Sequence, residues 1–409
     1  MEKTKGVELL SPAGDMEKLI MAVSYGADAV YMAGEEFGMR AAAGNFAGEE
    51  MEKAIAYCHS RGVKAYVTLN IVAANGEIER IGAYAEKLYR YGADAAIISD
   101  PGVFSVVRER APGLELHMST QAGVANYRAA RFWYELGARR VVLARELSLD
   151  EIREIRANTP QDLTLECFVH GAMCVSFSGR CLISSYMAGR DANRGECTQP
   201  CRWKYYLREE KREGEYYELE ESAEGTYFFN SKDLCTVDFL DKIIECGVGS
   251  LKIEGRAKSA YYAAAVTGAY RGALDDLLAG RGLDGRWREE LMKVSHRRYC
   301  NGFFFGKGSE SMQHYGDSSY IREWDICAFV TGRDGDRSVL LQKNRFSSGE
   351  EAELLSPDGR LASFVIGEIL HDGEVTATAL HPHSEYTVKL PFDPPEYSII
   401  RKQVSQNIK

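Results

Sequence analysis

The chain lacks the features that would place it in a membrane, outside the cell, or on nucleic acid through bulk charge. None of its 409 residues belongs to an uninterrupted apolar run near the ~18 needed to span a bilayer. No positively charged leader with an apolar run behind it is present, so a cytosolic (cytoplasmic) protein with no membrane partner is expected. Positive charge is short as well: 50 Lys and Arg stand against 60 Asp and Glu, a formal net charge of -10. That excludes a generally basic nucleic-acid binder and leaves room only for a local basic patch. No Gly-x-Ser-x-Gly, His-Glu-x-x-His or Walker sequence occurs, and no Gly-x-Gly-x-x-Gly follows the first apolar run, which removes the common hydrolase and nucleotide signatures. The ten cysteines include no Cys-x2-Cys pair and no ferredoxin run, and in a reducing compartment they are not a disulfide framework.

What the chain does have is clustered thiol. Five of the ten cysteines, Cys167, Cys174, Cys181, Cys197 and Cys201, fall between Glu166 and Cys201, interleaved with Gly, Ser and Arg rather than with apolar residues. Each iron of a cluster takes a deprotonated sulfur from its own direction, so thiols on a loop able to bend suit a thiophilic metal or an iron–sulfur cluster. The spacing is Cys174-x6-Cys181-x15-Cys197-x3-Cys201, with Cys235 another 33 residues on. By itself it leaves three readings open: a metal or cluster; nucleophilic thiol chemistry, for example Cys174 with His170; and plain buried thiols.

The order of apolar runs predicts the fold. VELLSP, GADAVYMAG, RGVKAYVTLN, GADAAIISD, LELHMSTQ, GARRVVLARE, LTLECFVH and GVGSLKIEG read as buried strands, separated by helical stretches such as EEMEKAIAYCHS. Eight such units imply an α/β fold with a parallel sheet covered on its outer side. We expect a closed (β/α)8 barrel of the TIM type rather than an open doubly wound sheet. The barrel should take residues 1–320 and carry the Cys-rich segment 166–235, in which 204–230 reads as a charged flap. From about Trp324 short β-type runs alternate with turn signals and nothing helical intervenes, so 324–409 should form a small C-terminal all-β barrel domain. Chemistry in such a barrel sits at the C-terminal strand ends. There His117, His170 and Glu254 are the candidate acid–base groups, against the alternative that they only close the barrel top with hydrogen bonds.

The run Glu166-x-Phe168-x-x-Gly171-Ala172-Met173-Cys174-x4-Gly179-x-Cys181-x-Ile183-Ser184 resembles the signature of the collagenase-like peptidase family U32. SPAGD (11–15), NSKDLC (230–235) and SLKIEGR (250–256) are similar to further blocks of that family, and the tail is similar to its C-terminal domain, a small β-barrel related to those of translation factors. The resemblance implies a [4Fe–4S] cluster that supports oxygen-independent hydroxylation of tRNA, ribosomal RNA or a ubiquinone precursor. Its ligands would be Cys174, Cys181, Cys197 and Cys235, with Cys201 as the alternative to Cys235; Cys58, Cys167, Cys246, Cys300 and Cys327 are left to the core. A barrel with one small β-domain resembles the tRNA branch, which makes 5-hydroxyuridine at the wobble position and depends on prephenate. The implied partners are tRNA, a small dicarboxylate and a related-family subunit; a collagenase-like protease is the alternative that the family name carries. Guanidinium groups suit planar carboxylates, so Arg145 and Arg256, then Arg40 and Arg180, would hold the dicarboxylate unless they pair with Glu146 and Glu254. Arg190, Arg194, Arg202 and Lys204, with Arg297 and Arg298 further on, would track phosphates. From Trp324 onward nine Lys and Arg face thirteen Asp and Glu, so the C-terminal domain cannot attract RNA by overall charge.

Overall fold

The computed structural model describes residues 6–38, 45–173, 183–190, 196, 198, 200, 232–306 and 320–404. Seven strands follow one another in parallel: β1 (Glu8–Pro12), β2 (Ala29–Met32), β3 (Lys64–Leu69), β4 (Ala95–Ile98), β5 (Glu115–Met118), β6 (Arg140–Val142) and β7 (Thr164–Ala172). After the short β8 (Asp233–Cys235), strand β9 (Ser250–Ile253) pairs in parallel with both β1 and β7, which closes an eight-stranded ring. All eight expected runs are found in it. They were continuous apolar runs because each strand is covered on both faces, by the barrel interior and by helices.

The outer layer is α1 (Met16–Ser24), α2 (Gly48–Ser60), α3 (Ile78–Arg90), α4 (Pro101–Arg110), α5 (Tyr127–Glu135) and α6 (Leu149–Ala157), then α8 (Leu240–Glu245), α9 (Ala260–Leu278) and α10 (Gly285–Met292), while the short α7 (Ile183–Ala188) belongs to the cysteine segment. Local chemistry sets where they begin. The Asp15 carboxylate accepts from Lys18 N, Asp100 accepts from Val103 N with Pro101 at the first helical position, and Ser148 and Glu151 cap each other's backbone N–H. No helix among the described residues is long and apolar enough to cross a membrane. Within the Phe run 303–305, Phe304 is buried while Phe305 stands out at 57% exposure.

Strand β10 (Tyr299–Cys300) adds to β8. The remainder is antiparallel and all β: β11 (Trp324–Asp334), β12 (Arg337–Gln342), β13 (Phe346–Ser347), β14 (Glu351–Leu355), β15 (Leu361–Val365), β16 (Ile369–His371), β17 (Glu374–Thr376), β18 (Thr378–Ala379), β19 (Glu385–Val388) and β20 (Ile399–Gln403). Eight of these strands form one sheet in the order β15-β14-β20-β11-β12-β19-β16-β17, and β13 pairs with β18. Val330, Leu340, Phe346, Leu354, Tyr386 and Ile400 make its own core, whereas Phe329, Leu355 and Ile399 turn outward into the core of the barrel. The Tyr25 hydroxyl of the barrel donates to Leu355 O at 2.8 Å, so the contact is both apolar and hydrogen-bonded.

Candidate functional site

Alternate strand residues point into a barrel. Low in this one, that parity gathers Glu8, Tyr66, Arg140, Glu166 and Ser250. Arg140 Nη1 donates to Glu8 Oε1 at 2.5 Å and to Glu166 Oε2 at 2.8 Å, and the Tyr66 hydroxyl donates to Glu8 Oε2 at 2.6 Å. One layer higher Lys252 Nζ lies 3.0 Å from Glu166 Oε1 and 4.6 Å from the centre of the Tyr31 ring. Burial works to raise the Glu166 pKa, but Lys252 and then Arg140 outweigh it and hold the carboxyl down to about 2. His117 belongs to this layer. Its Nε2 is 3.1 Å from Glu115 Oε1 and its ring meets Tyr66 edge-on; burial, then Arg140, lowers its pKa and keeps it neutral.

Above Lys252 the interior opens into the mouth. Glu254 Oε2 accepts from the Tyr31 hydroxyl at 3.4 Å, and Arg256 donates to Thr68 Oγ1 at 3.3 Å and to Asn45 Oδ1 at 3.1 Å. Arg145 Nη1 donates to Ala172 O at 2.9 Å while its guanidinium covers the Phe168 ring at 4.6 Å. Among the described residues no carboxylate pairs with Arg145. Two glycines permit the close packing of the rim. A Cβ on Gly171, at φ +104°, would sit 2.4 Å from Glu254 O, and one on Gly14 would sit 2.4 Å from Arg256 O. Arg145, Glu254 and Arg256 thus all stand at C-terminal strand ends, Arg145 against β7 and Arg256 against Thr68 of β3.

At its C-terminal end β7 bulges between Phe168 and His170. There β8 pairs antiparallel with it, His170 opposite Cys235 and Ala172 opposite Asp233. The segment between these two strands therefore begins and ends beside the same strand end, and Cys174 follows two residues after Ala172. Cys235 is fully buried. Burial dominates its pKa and pushes the thiol up to about 11, while Arg288 and the Val237 N–H favour the thiolate. The His170 ring packs against α9 and β10 with centroids 5.4 Å from Tyr270 and 5.3 Å from Tyr299, and burial, then His296, drives its pKa well below the usual value. The three acid–base candidates are therefore not brought together: His117 is low in the barrel, His170 faces α9, and Glu254 is on the rim.

Cys58, Cys167, Cys246 and Cys327 are buried and Cys300 is half-buried. Arg190 is exposed just beyond α7. Cys174, Cys181, Cys197, Cys201, Arg40, Arg180, Arg194, Arg202 and Lys204 lie outside the described residues, as does 204–230. The interior charge network was missed from sequence as a unit. Its signal was a charged residue at an inward position of an apolar strand, as with Arg140 in GARRVVLARE and Glu166 in LTLECFVH.

Residues 14–314 match the family model "Peptidase family U32" and residues 322–401 match "Peptidase family U32 C-terminal domain". The chain is 37% identical to the tRNA hydroxylation protein P of Escherichia coli (strain K12), over 94% of this chain and 93% of that protein. It is 39% identical to the tRNA hydroxylation protein P1 of Bacillus subtilis (strain 168), over 93% and 90%. A collagenase of Porphyromonas gingivalis (strain ATCC BAA-308 / W83) is 35% identical, over 77% of this chain and 78% of its own. With both models matched in order along the chain, the protein belongs to peptidase family U32.

Proposed function

We propose that this protein is a tRNA hydroxylase that holds a [4Fe–4S] cluster and converts the wobble uridine to 5-hydroxyuridine in an oxygen-independent, prephenate-dependent reaction in the cytoplasm. One observation carries the reading: relatives named for tRNA hydroxylation align over 94% and 93% of this chain, so the likeness takes in the C-terminal sheet as well as the barrel. Cys174, Cys181, Cys197 and Cys235 would hold the cluster, with Cys201 as the alternative fourth ligand, and the cluster when bound supplies one-electron chemistry. The described part of this set suits the role. Cys235 is shielded from water and pairs opposite His170 at the end of β7, the strand that stops two residues before Cys174.

The chain's own groups divide the remaining work. Arg145, stacked on Phe168, and Arg256 offer forked donors to the carboxylates of the cosubstrate. Glu254, hydrogen-bonded to Tyr31, is placed to move a proton at the rim. Arg190, Arg194, Arg202 and Lys204 neutralise phosphates and lead an unstacked base inward. A related-family subunit would complete the assembly. The peptidase reading has the collagenase relative in its favour, but the two barrel histidines address Glu115 and two tyrosines rather than a serine or cysteine nucleophile.

The test is mass-spectrometric analysis of tRNA nucleosides from a strain lacking this protein and any redundant enzyme. 5-Hydroxyuridine should vanish, and Cys235→Ser should neither restore it nor keep full iron, whereas Cys300→Ser does both. Unchanged modification, or gelatin digestion by the pure protein, overturns the assignment.

A further inference from the structure

Many surface cations of this acidic protein are paired, as Arg110 is with Glu86 and Arg131 with Glu135. Beside the C-terminal strand ends a group of cations gathers around one tyrosine. Lys258, two residues past Arg256, makes no ion pair among the described residues; its Nζ stands 3.4 Å from Ser295 O and 4.3 Å from the ring centre of Tyr320. Arg297, itself buried, backs the same ring at 5.2 Å and donates from Nη2 to the Tyr320 hydroxyl at 3.5 Å. Its neighbour Arg298 is exposed and likewise has no ion pair among the described residues.

These groups are held in place. Ile321 exchanges backbone hydrogen bonds with His296, which fixes Tyr320 beside the segment that enters β10. Asp233 N donates to Arg298 O at 3.0 Å, and Arg297 N donates to the Asp233 carboxylate at 3.2 Å. Asp233 faces Ala172, so the group sits on the rim beside the C-terminal end of β7. Tyr320 nevertheless keeps 41% of its surface in solvent. An exposed aromatic ring flanked by fixed cations has the composition of a single-stranded nucleic-acid platform, in which the ring stacks on a base and the cations take the flanking phosphates.

We propose that Tyr320, with Lys258 and Arg298 as its accessible cations and the buried Arg297 as its support, forms the landing platform for an unpaired RNA segment at the barrel rim. This rests on the RNA reading above and adds where the strand is held. It also accounts for RNA binding on a protein whose net charge is -10, because the attraction is confined to one edge of the mouth.

The experiment measures tRNA affinity against salt by fluorescence anisotropy for the full-length protein and for variants with unchanged thermal melts. Lys258→Ala combined with Arg298→Ala should reduce the slope of log affinity against log salt by about two, roughly one for each phosphate that is no longer neutralised. Tyr320→Ala should weaken binding roughly tenfold at every salt concentration without changing the slope, and Tyr320→Phe should bind as wild type does, since stacking needs the ring and not the hydroxyl. Wild-type slope in the double variant, or wild-type affinity in Tyr320→Ala, removes the platform and leaves the RNA reading standing. Failure of the wild-type protein to bind tRNA at low salt removes both.

Discussion

Glu166 is a carboxylate taken wholly out of water, and it stays ionised only because Lys252 and Arg140 hold it from two sides. Glu166→Gln strands both cations in the barrel and should cost about 3–5 kcal/mol in urea unfolding. Because its folded pKa is depressed, from 4.5 to about 2, its contribution is complete above roughly pH 4.5 and is lost as the pH falls toward 2. His117 and His170, kept neutral by burial, act in the same direction: their contribution is full above the ordinary 6.5 and falls away below it. Urea midpoints measured against pH should therefore drop in acid for the wild type, and the drop between 4.5 and 2 should be shallower in Glu166→Gln. Equal slopes would mean that the carboxylate is not the group titrating. The sequence showed these charges and, by strand parity, the face each occupies. It could not show that Arg140 reaches Glu8 and Glu166 at once, because parity says nothing of which residues meet across a closed ring.

At the scale of elements, β20 meets α9 and α10 through Arg401, which is completely buried. Its guanidinium donates to Glu290 Oε2 at 2.6 Å and to the Tyr261 hydroxyl at 3.2 Å, and its Nε donates to Glu353 Oε1 at 2.9 Å. Lys293 joins Glu353 from the barrel side at 2.8 Å. The C-terminal sheet is thus fastened by a charge cluster set within apolar contacts. Arg401→Ala leaves the buried Glu290 with only the 3.7 Å approach of Lys293 and should cost about 3 kcal/mol, with calorimetry resolving the single transition into two as the sheet releases before the barrel. Lys402→Ala, whose pair with Glu350 is partly solvated, should shift the melt little. A single unbroken transition in Arg401→Ala would show that the apolar contacts alone hold the sheet. The change of texture near Trp324 announced the all-β portion from sequence. The fastening did not announce itself, since Tyr261 and Glu290 are ordinary residues of helical runs and acquire their role only when β20 arrives.

For the whole molecule, eight apolar runs were enough to predict the barrel, and the signature residues from Glu166 to Met173 marked the strand that faces its mouth. Less legible was the seam: β7 carries β9 along its length and β8 at its tip, a pairing that depends on a bulge and on Gly171. Because Ala172 and Asp233 are already locked side by side, the stretch between them begins and ends at one place, and the strand pairing meets the cost of closing it. If the proposed cluster is held, the barrel scaffold should therefore fold without it, unlike a small zinc domain that is unfolded without its ion. Protein from iron-starved cells should keep a cooperative thermal transition and the near-ultraviolet dichroism of packed aromatics; a molten, non-cooperative chain would contradict this. On the proposed reading, cluster insertion would be a late and repeatable event. A molecule stripped by oxidants would keep its folded barrel and could be recharged, so exposure to oxygen would silence a population of the protein without destroying it.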